Sequence, residues 1–414
     1  MAKKSVVIVG TGWAGYTFLQ DISCDAYNVI IISPEATSPY TPLLASAACG
    51  LFDFGLAEEP VRRYSRRFTF YQASVDDVDL ANKICFCHSA FDGATKSFPI
   101  SYDYLVLAPG CVTNTFGTPG VEESAFFVRN VPDAKKVQQR IQQLLELASL
   151  PDTSEEQQRA LLHIAVVGGG PTGVEISAEL SDLFNNDFAK LYPSLAGKMS
   201  ITIFDAAQFI LGAFEQSLRD YAITSFSSRH VRVHTDAKIL KVEQDKITVK
   251  GHGEVPCGMV LWVTGNKECA LVDKLNVAKS DRLPRILTDD ALRVLDANRQ
   301  PMDNVFALGD AADIESNGLP TTAEVAVQKA RFLAKAFNGG RGFDALFTYR
   351  QKALVAYIGG HDGVVQGEAG WTGARAWRAW RAKNLFWTRS WRRKFMIVAN
   401  WMWNWIDGRE LARA

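Results

Sequence analysis

Three features of this 414-residue chain predict an α/β protein with two parallel-sheet units and a C-terminal region of amphipathic helices. The first is an apolar run that enters a glycine motif twice, at Val6 to Gly15 and again at Ile164 to Gly173. The second is a further apolar run, Val305 to Leu308, that stops in Gly309-Asp310. The third is a tail, from Trp371 onward, that holds eight of the ten tryptophans. A short run with no polar alternation reads as a strand covered on both faces, as in parallel sheets, and glycine directly after it marks the turn into a helix.

The length calls for two or three domains. With 47% hydrophobic and 22% charged residues, the composition is that of a globular protein, and disorder is not indicated. Residues 1–132 and 287–340 are expected to form the first domain, 133–286 the second, and 341–414 a separate C-terminal region. Tyr102 to Pro109 ends in Ala-Pro-Gly110, a crossover out of the first domain. Asp133 to Leu150 alternates charged and apolar positions at helical spacing, and short strand-like runs at Val231, Ile239 and Ile247 fill the second domain.

Gly10-Thr-Gly12-Trp-Ala-Gly15 is a G-x-G-x-x-G turn from strand to helix, which frees backbone N–H groups for a pyrophosphate at the helix N-terminus. Alone the pattern is weak. Its second copy, Gly168-Gly169-Gly170-Pro-Thr-Gly173 after another apolar strand, makes two bound nucleotides the better reading. The N-terminal fold is assigned FAD and the inserted one NADH, the order found in two-dinucleotide flavoproteins. Gly309 and Asp310 support the first assignment, since an apolar strand ending in Gly-Asp sets a carboxylate beside a ribityl chain. Asp205, at the end of the strand Ser200 to Phe204, is expected to bond the ribose 2′-hydroxyl and to repel a 2′-phosphate. No Lys or Arg follows it through Leu218, which favours NADH over NADPH. In the first unit either Ser33 or Glu35 touches the adenosine ribose. Glu175 and Glu179 lie four residues apart on the helix after the second motif. A solvated stripe is one reading of them; for Glu175 a polar contact near the nicotinamide is preferred.

The seven cysteines, at positions 24, 49, 85, 87, 111, 257 and 269, include no C-x-x-C. Thiol–disulfide exchange is therefore not expected, and Cys85-x-Cys87 has no second pair to complete a metal site. No metal is assigned. Nor is any nucleic-acid partner expected. Hydride transfer between a nicotinamide and a flavin needs no protein acid or base, so the electron acceptor is the open question.

The tail carries ten Arg and Lys against Asp407 and Glu410, while the whole chain has a formal net charge of zero. A basic, Trp-rich segment suggests an anionic interface such as a membrane surface, with a dimer contact as the competing use. Trp377, Trp380, Trp387 and Trp391 are expected to form one outward aromatic face. Ser390 is expected to cap a second helix through Phe395, Val398, Trp401 and Met402. Met396 to Ile406 is about half of the ~20 residues a spanning helix needs, so membrane contact is expected to be peripheral.

The sequence resembles the type II NADH dehydrogenases, single-subunit NADH:quinone oxidoreductases that pump no protons, over nearly its whole length. Gly10-Thr-Gly-Trp13, Ser38-Pro-Tyr-Thr-Pro-Leu-Leu44, Asn114-Thr-Phe-Gly-Thr-Pro-Gly-Val121, Val166 to Glu175, Trp262-Val-Thr-Gly-Asn266, Ala356-Tyr-Ile-Gly359 and Trp391-Arg-Arg-Lys394 carry the resemblance. It implies FAD without a covalent link, NADH as donor and ubiquinone as acceptor. It also implies a homodimer, membrane attachment through the C-terminal helices, and a peripheral place on the mitochondrial inner membrane, with the cytoplasm as the alternative because no presequence is visible. Thr41 and Gly110 would then line the flavin side and Gly265 the nicotinamide side. The family's quinone motif A-Q-x-x-x-Q stands here as Ala323-Glu324-Val-Ala-Val-Gln328, with a carboxylate in place of an amide. Glu324 and Gln328 are the expected quinone residues. A flavoprotein resembling apoptosis-inducing factor, or a soluble NADH diaphorase with another small acceptor, are the alternatives.

Overall fold

A computed structural model describes residues 2–64, 67–91, 93, 96–281, 283–339, 343–367 and 370–409. Along the chain the elements that build the site begin with strand β1 (Ser5–Val9), helix α1 (Trp13–Asp21), strand β2 (Asn28–Ser33), the short helix α2 (Leu44–Ala48), strands β3 (Thr69–Asp79) and β4 (Tyr104–Leu107), and helix α3 (Val131–Ser149). A second set follows: β5 (His163–Val167), α4 (Pro171–Leu183), β6 (Ser200–Phe204), α5 (Gln216–Ser227), β7 (Val231–His234) and β8 (Met259–Trp262). The remainder runs through β9 (Pro301–Ala307), α6 (Ala323–Phe337), the hairpin β10 (Leu354–Gly359) and β11 (Asp362–Gln366), and helices α7 (Gly373–Trp387) and α8 (Trp391–Asp407).

Packing divides the chain into two units. The first holds Met1–Pro39, Glu59–Val112 and Asn266–Gln351. Its strands β9, β4, β1, β2 and β3 are neighbours in that order and run parallel, with Val7 opposite Ile30 on one side and Leu105 on the other. Antiparallel strands extend β3 at one edge. The apolar runs have no polar alternation because both faces are covered. Val6 and Ile8 enter a cluster with Phe18, Leu333 and Phe337 from the helices, whereas Val7 and Val9 enter another with Leu105, Val272 and Val305.

The second unit holds Tyr40–Glu58, Thr113–Gly265 and Lys352–Ala414. Its parallel sheet has the order β7, β6, β5, β8 and packs Phe204, Val260 and Trp262 against Ile239, Val242 and Ile247 of a three-stranded antiparallel sheet. This division differs from the boundaries read in the sequence. The chain rejoins the first unit at Asn266 rather than near Leu287, because Leu271 and Val272 enter that unit's core. The C-terminal residues do not stand apart as a region of their own: Tyr357 of β10 stacks on Trp380 of α7 with ring centroids 4.9 Å apart, and both residues are buried. Among the described residues no helix is long and apolar enough to cross a membrane.

Candidate functional site

Each glycine loop divides its labour among three glycines. A Cβ on Gly10, where φ is +100°, would fall 2.2 Å from the Ala108 carbonyl oxygen, and one on Gly15 would fall 2.0 Å from the oxygen of Gly10. These two glycines are demanded by the protein's own packing. Gly12 is not: its backbone is extended, no side chain caps α1, and a Cβ there would meet nothing within 4 Å. What remains is a bare helix N-terminus, open to a group that approaches the backbone closely. The second loop repeats the arrangement. A Cβ on Gly173 would lie 1.8 Å from the Gly168 oxygen, Gly168 has φ +117° against Thr264, and Gly170 at the uncapped start of α4 faces open space. A helix start without a side-chain cap, with its backbone N–H groups and the positive end of the helix dipole, favours a phosphate at both places.

Residues at the end of the second strand of each unit, or just after it, brace the loops. Asp205 accepts from Gly169 N at 2.5 Å through one carboxylate oxygen and from Ala207 N at 2.7 Å through the other. Each oxygen keeps a second lone pair for a ribose hydroxyl. In the first unit the buried Ser33 hydroxyl lies 2.9 Å from that of Thr11, and Ser33 also accepts from Glu35 N at 3.2 Å. Ser33 therefore holds the loop, and Glu35 is exposed beside it. Gly309 packs against Ala14, and Asp310 accepts from the Cys111 thiol, next to Gly110, at 3.6 Å. Gly265 lies against the ring of Phe116 in the second unit. Thr41 does not fall among the first unit's residues; it is exposed on a 3-10 turn that belongs to the second.

Helix α4 carries a row of carboxylates that is no solvated stripe. Half-buried Glu175 accepts from Trp380 Nε1 at 2.9 Å and from Tyr357 N at 3.4 Å, and loss of water around it pushes its carboxyl up to about 7 despite those bonds. Glu179 is 1% exposed, accepts from the Ser46 hydroxyl at 2.7 Å and pairs with Arg409 at 3.0 Å. Burial raises its pKa as well. Asp182, one turn further, accepts from the Tyr357 hydroxyl and from Gly360 N at 2.9 Å, and pairs with Arg229 at 3.1 Å. Trp380, Tyr357, Ser46 and Arg409 were not singled out in sequence as partners of these acids. No spacing signal exists for contacts between residues so far apart in the chain.

Gln328 stands in the first unit, where its amide donates to the Arg350 carbonyl at 2.9 Å and accepts from Arg350 N at 3.1 Å. It also donates to Glu324 at 2.6 Å. The pair expected at a quinone head is thus coupled, and the glutamine clamps backbone.

The aromatic face expected on α7 turns inward. Trp380 is 4% exposed, and Trp377 packs edge-on against His361 under the Arg381 guanidinium. The outward apolar stripe lies on α8 instead: Trp391, Phe395, Val398, Met402 and Trp405 are exposed, while the opposite face holds buried Ile397 and donates from Asn404 to the Leu51 carbonyl at 2.8 Å. Ser390 occupies the N-cap position of α8, without a side-chain capping bond.

Two loops built alike, each opening a helix beneath a parallel sheet, define a two-nucleotide oxidoreductase. Residues 4–330 match the pyridine nucleotide-disulphide oxidoreductase family. A probable NADH dehydrogenase of Dictyostelium discoideum is 34% identical over 99% of this chain and 91% of its own length. The mitochondrial internal alternative NAD(P)H–ubiquinone oxidoreductase A1 of Arabidopsis thaliana is 32% identical over 99% of this chain and 86% of its own. In fold, the chain is similar to the NDH2 of Plasmodium falciparum solved in complex with NADH, with a TM-score of 0.93 over 100% of both chains at 24% identity. The chain belongs to the pyridine nucleotide-disulphide oxidoreductases, and within them to the type II NADH dehydrogenases.

Proposed function

We propose that this chain oxidises NADH and reduces a quinone, ubiquinone by analogy with its relatives, at a membrane surface and without pumping protons. FAD is assigned to the first unit and NADH to the second. The observation that carries this is the pair of bare helix N-termini at Gly12 and Gly170, each left open by a glycine that packing does not require. Gly309, Asp310 and Gly110 are proposed on the flavin side, with Ser33 as the brace of that loop. Asp205 is proposed for the NADH ribose and Gly265 for the nicotinamide end. Thr41 is kept as a proposed flavin contact on the resemblance alone. A bound FAD would supply the two-electron chemistry, hydride acceptance from NADH and electron delivery to the quinone.

The chain's own part includes the proton balance. NADH delivers two electrons and one proton, whereas a quinol needs two protons, so one comes from solvent in each turnover. Glu175, with its proton held up to about 7, is the acid proposed to supply it. Glu324 and Gln328 enter on the quinone side as one coupled pair.

Helix α8 supports the membrane reading. Its apolar stripe faces out and its hydrogen-bonding face turns in, the reverse of a helix that ends in water. The mitochondrial inner membrane is proposed from the Arabidopsis relative, and a homodimer from the family resemblance. Purified protein should oxidise NADH rapidly only when a short-chain ubiquinone analogue is added. A rate indifferent to the quinone sinks the proposal.

A further inference from the structure

The loop that follows Asp205 is packed by a cation. The loop after β6 exposes Ala206, Ala207, Gln208 and Phe209, then turns inward at Ile210, which is fully buried. A Cβ on Gly169 would lie 2.4 Å from Ile210 Cγ2 and 3.0 Å from Asp205 Oδ2, so loop, glycine motif and carboxylate meet at one point. Leu211 N closes the loop onto Gly169 O at 2.7 Å. Phe209, one residue before Ile210, is 45% exposed. The Arg219 guanidinium, from the fourth residue of α5, lies over its ring 4.2 Å from the centroid. Arg219 is half-buried, and its Nε is buried without an acceptor among the described residues.

A guanidinium stacked on a ring keeps its donor edges available to an anion. In a Rossmann unit the acidic residue after the second strand meets the ribose 2′-hydroxyl, and an arginine nearby accommodates a 2′-phosphate. This unit has both. We propose that Arg219 is a second cofactor-specificity residue, placed to receive the 2′-phosphate of NADPH, and that the charge of Asp205 is what keeps NADPH out. The inference rests on the assignment of a nicotinamide dinucleotide to the second unit.

The competing role for Arg219 is loop packing alone, and the test separates the two. The probes are adenosine 2′,5′-bisphosphate and adenosine 5′-monophosphate, each competing with NADH in the holoenzyme. In the Asp205→Asn background, where the repelling charge is gone, Arg219→Ala should make the bisphosphate inhibit about tenfold more weakly, as expected for one lost charge-assisted hydrogen bond, while the monophosphate inhibits as before. Asp205→Asn should lower the KM for NADPH by about tenfold or more, and Asp205→Asn with Arg219→Ala should reverse most of that gain. Equal weakening of both probes, or no change with either, overturns the proposal. Asp205 braces two backbone N–H groups, so Asp205→Ser, which also keeps an acceptor, is the second background should Asp205→Asn misfold. If the parent protein shows no NADH-dependent fluorescence quenching, the second-unit assignment fails and this inference falls with it. Quenching with unchanged competition overturns the inference alone.

Discussion

Glu175 changes character between sequence and structure. In sequence it is a helical carboxylate one turn from Glu179, as consistent with solvent as with a site. Trp380 and Tyr357 of distant segments exclude water from it, and its proton is held from an ordinary 4.5 up to about 7. The folded protein favours the protonated acid, and that preference is lost as pH rises through about 7. If this acid feeds the quinone, kcat/KM should fall about tenfold per pH unit above that value. Glu175→Gln keeps an acceptor for Trp380 but has no proton to give. It should lower quinone reduction by about 10²-fold and remove that limb of the pH profile. A profile that keeps its limb in the variant assigns the titration elsewhere. Gln328, proposed on the quinone side, holds both backbone atoms of Arg350 and donates to Glu324.

Helices α7 and α8 were both legible as amphipathic, but which way their faces point was not. Trp377, Trp380 and Trp387 share a helical face whether they meet lipid or protein. Tyr357, Glu175 and His361 give that face partners inside the second unit, which frees α8 to present the exposed stripe. Burying one large apolar side chain is worth about 1.5–3 kcal/mol, so losing two should cost vesicle binding about a hundredfold or more. Phe395→Glu combined with Met402→Glu should abolish flotation on anionic liposomes. Far-UV circular dichroism should stay unchanged, because both side chains face outward. Flotation that survives the pair places the membrane contact on another surface.

At the scale of the whole molecule, two cradles predict two different nucleotides per chain. Absorbance of the purified protein should give one FAD, and equilibrium dialysis one NADH in addition. A single site shared by both would refute the division of labour between the units. The strand–glycine–helix cores were legible because their signals are local: a buried parallel strand needs an unbroken apolar run, and the turn after it needs glycines where a Cβ would strike backbone. The α/β class, the two loops, Asp205 and the family all followed from such runs. Other features depend on residues that sequence separation hides. Arg409 reaches Glu179, the Tyr40–Glu58 segment leaves its neighbours in sequence to join the second unit, and Arg219 returns from the next helix to stack on Phe209 of the loop after Asp205. Backbone sterics and hydrophobic period act over a few residues and can be read from the chain as written. Burial, ion pairing and the field at a carboxylate depend on what folding brings within a few ångströms, and here those contacts set the proton on Glu175 and the cation over Phe209.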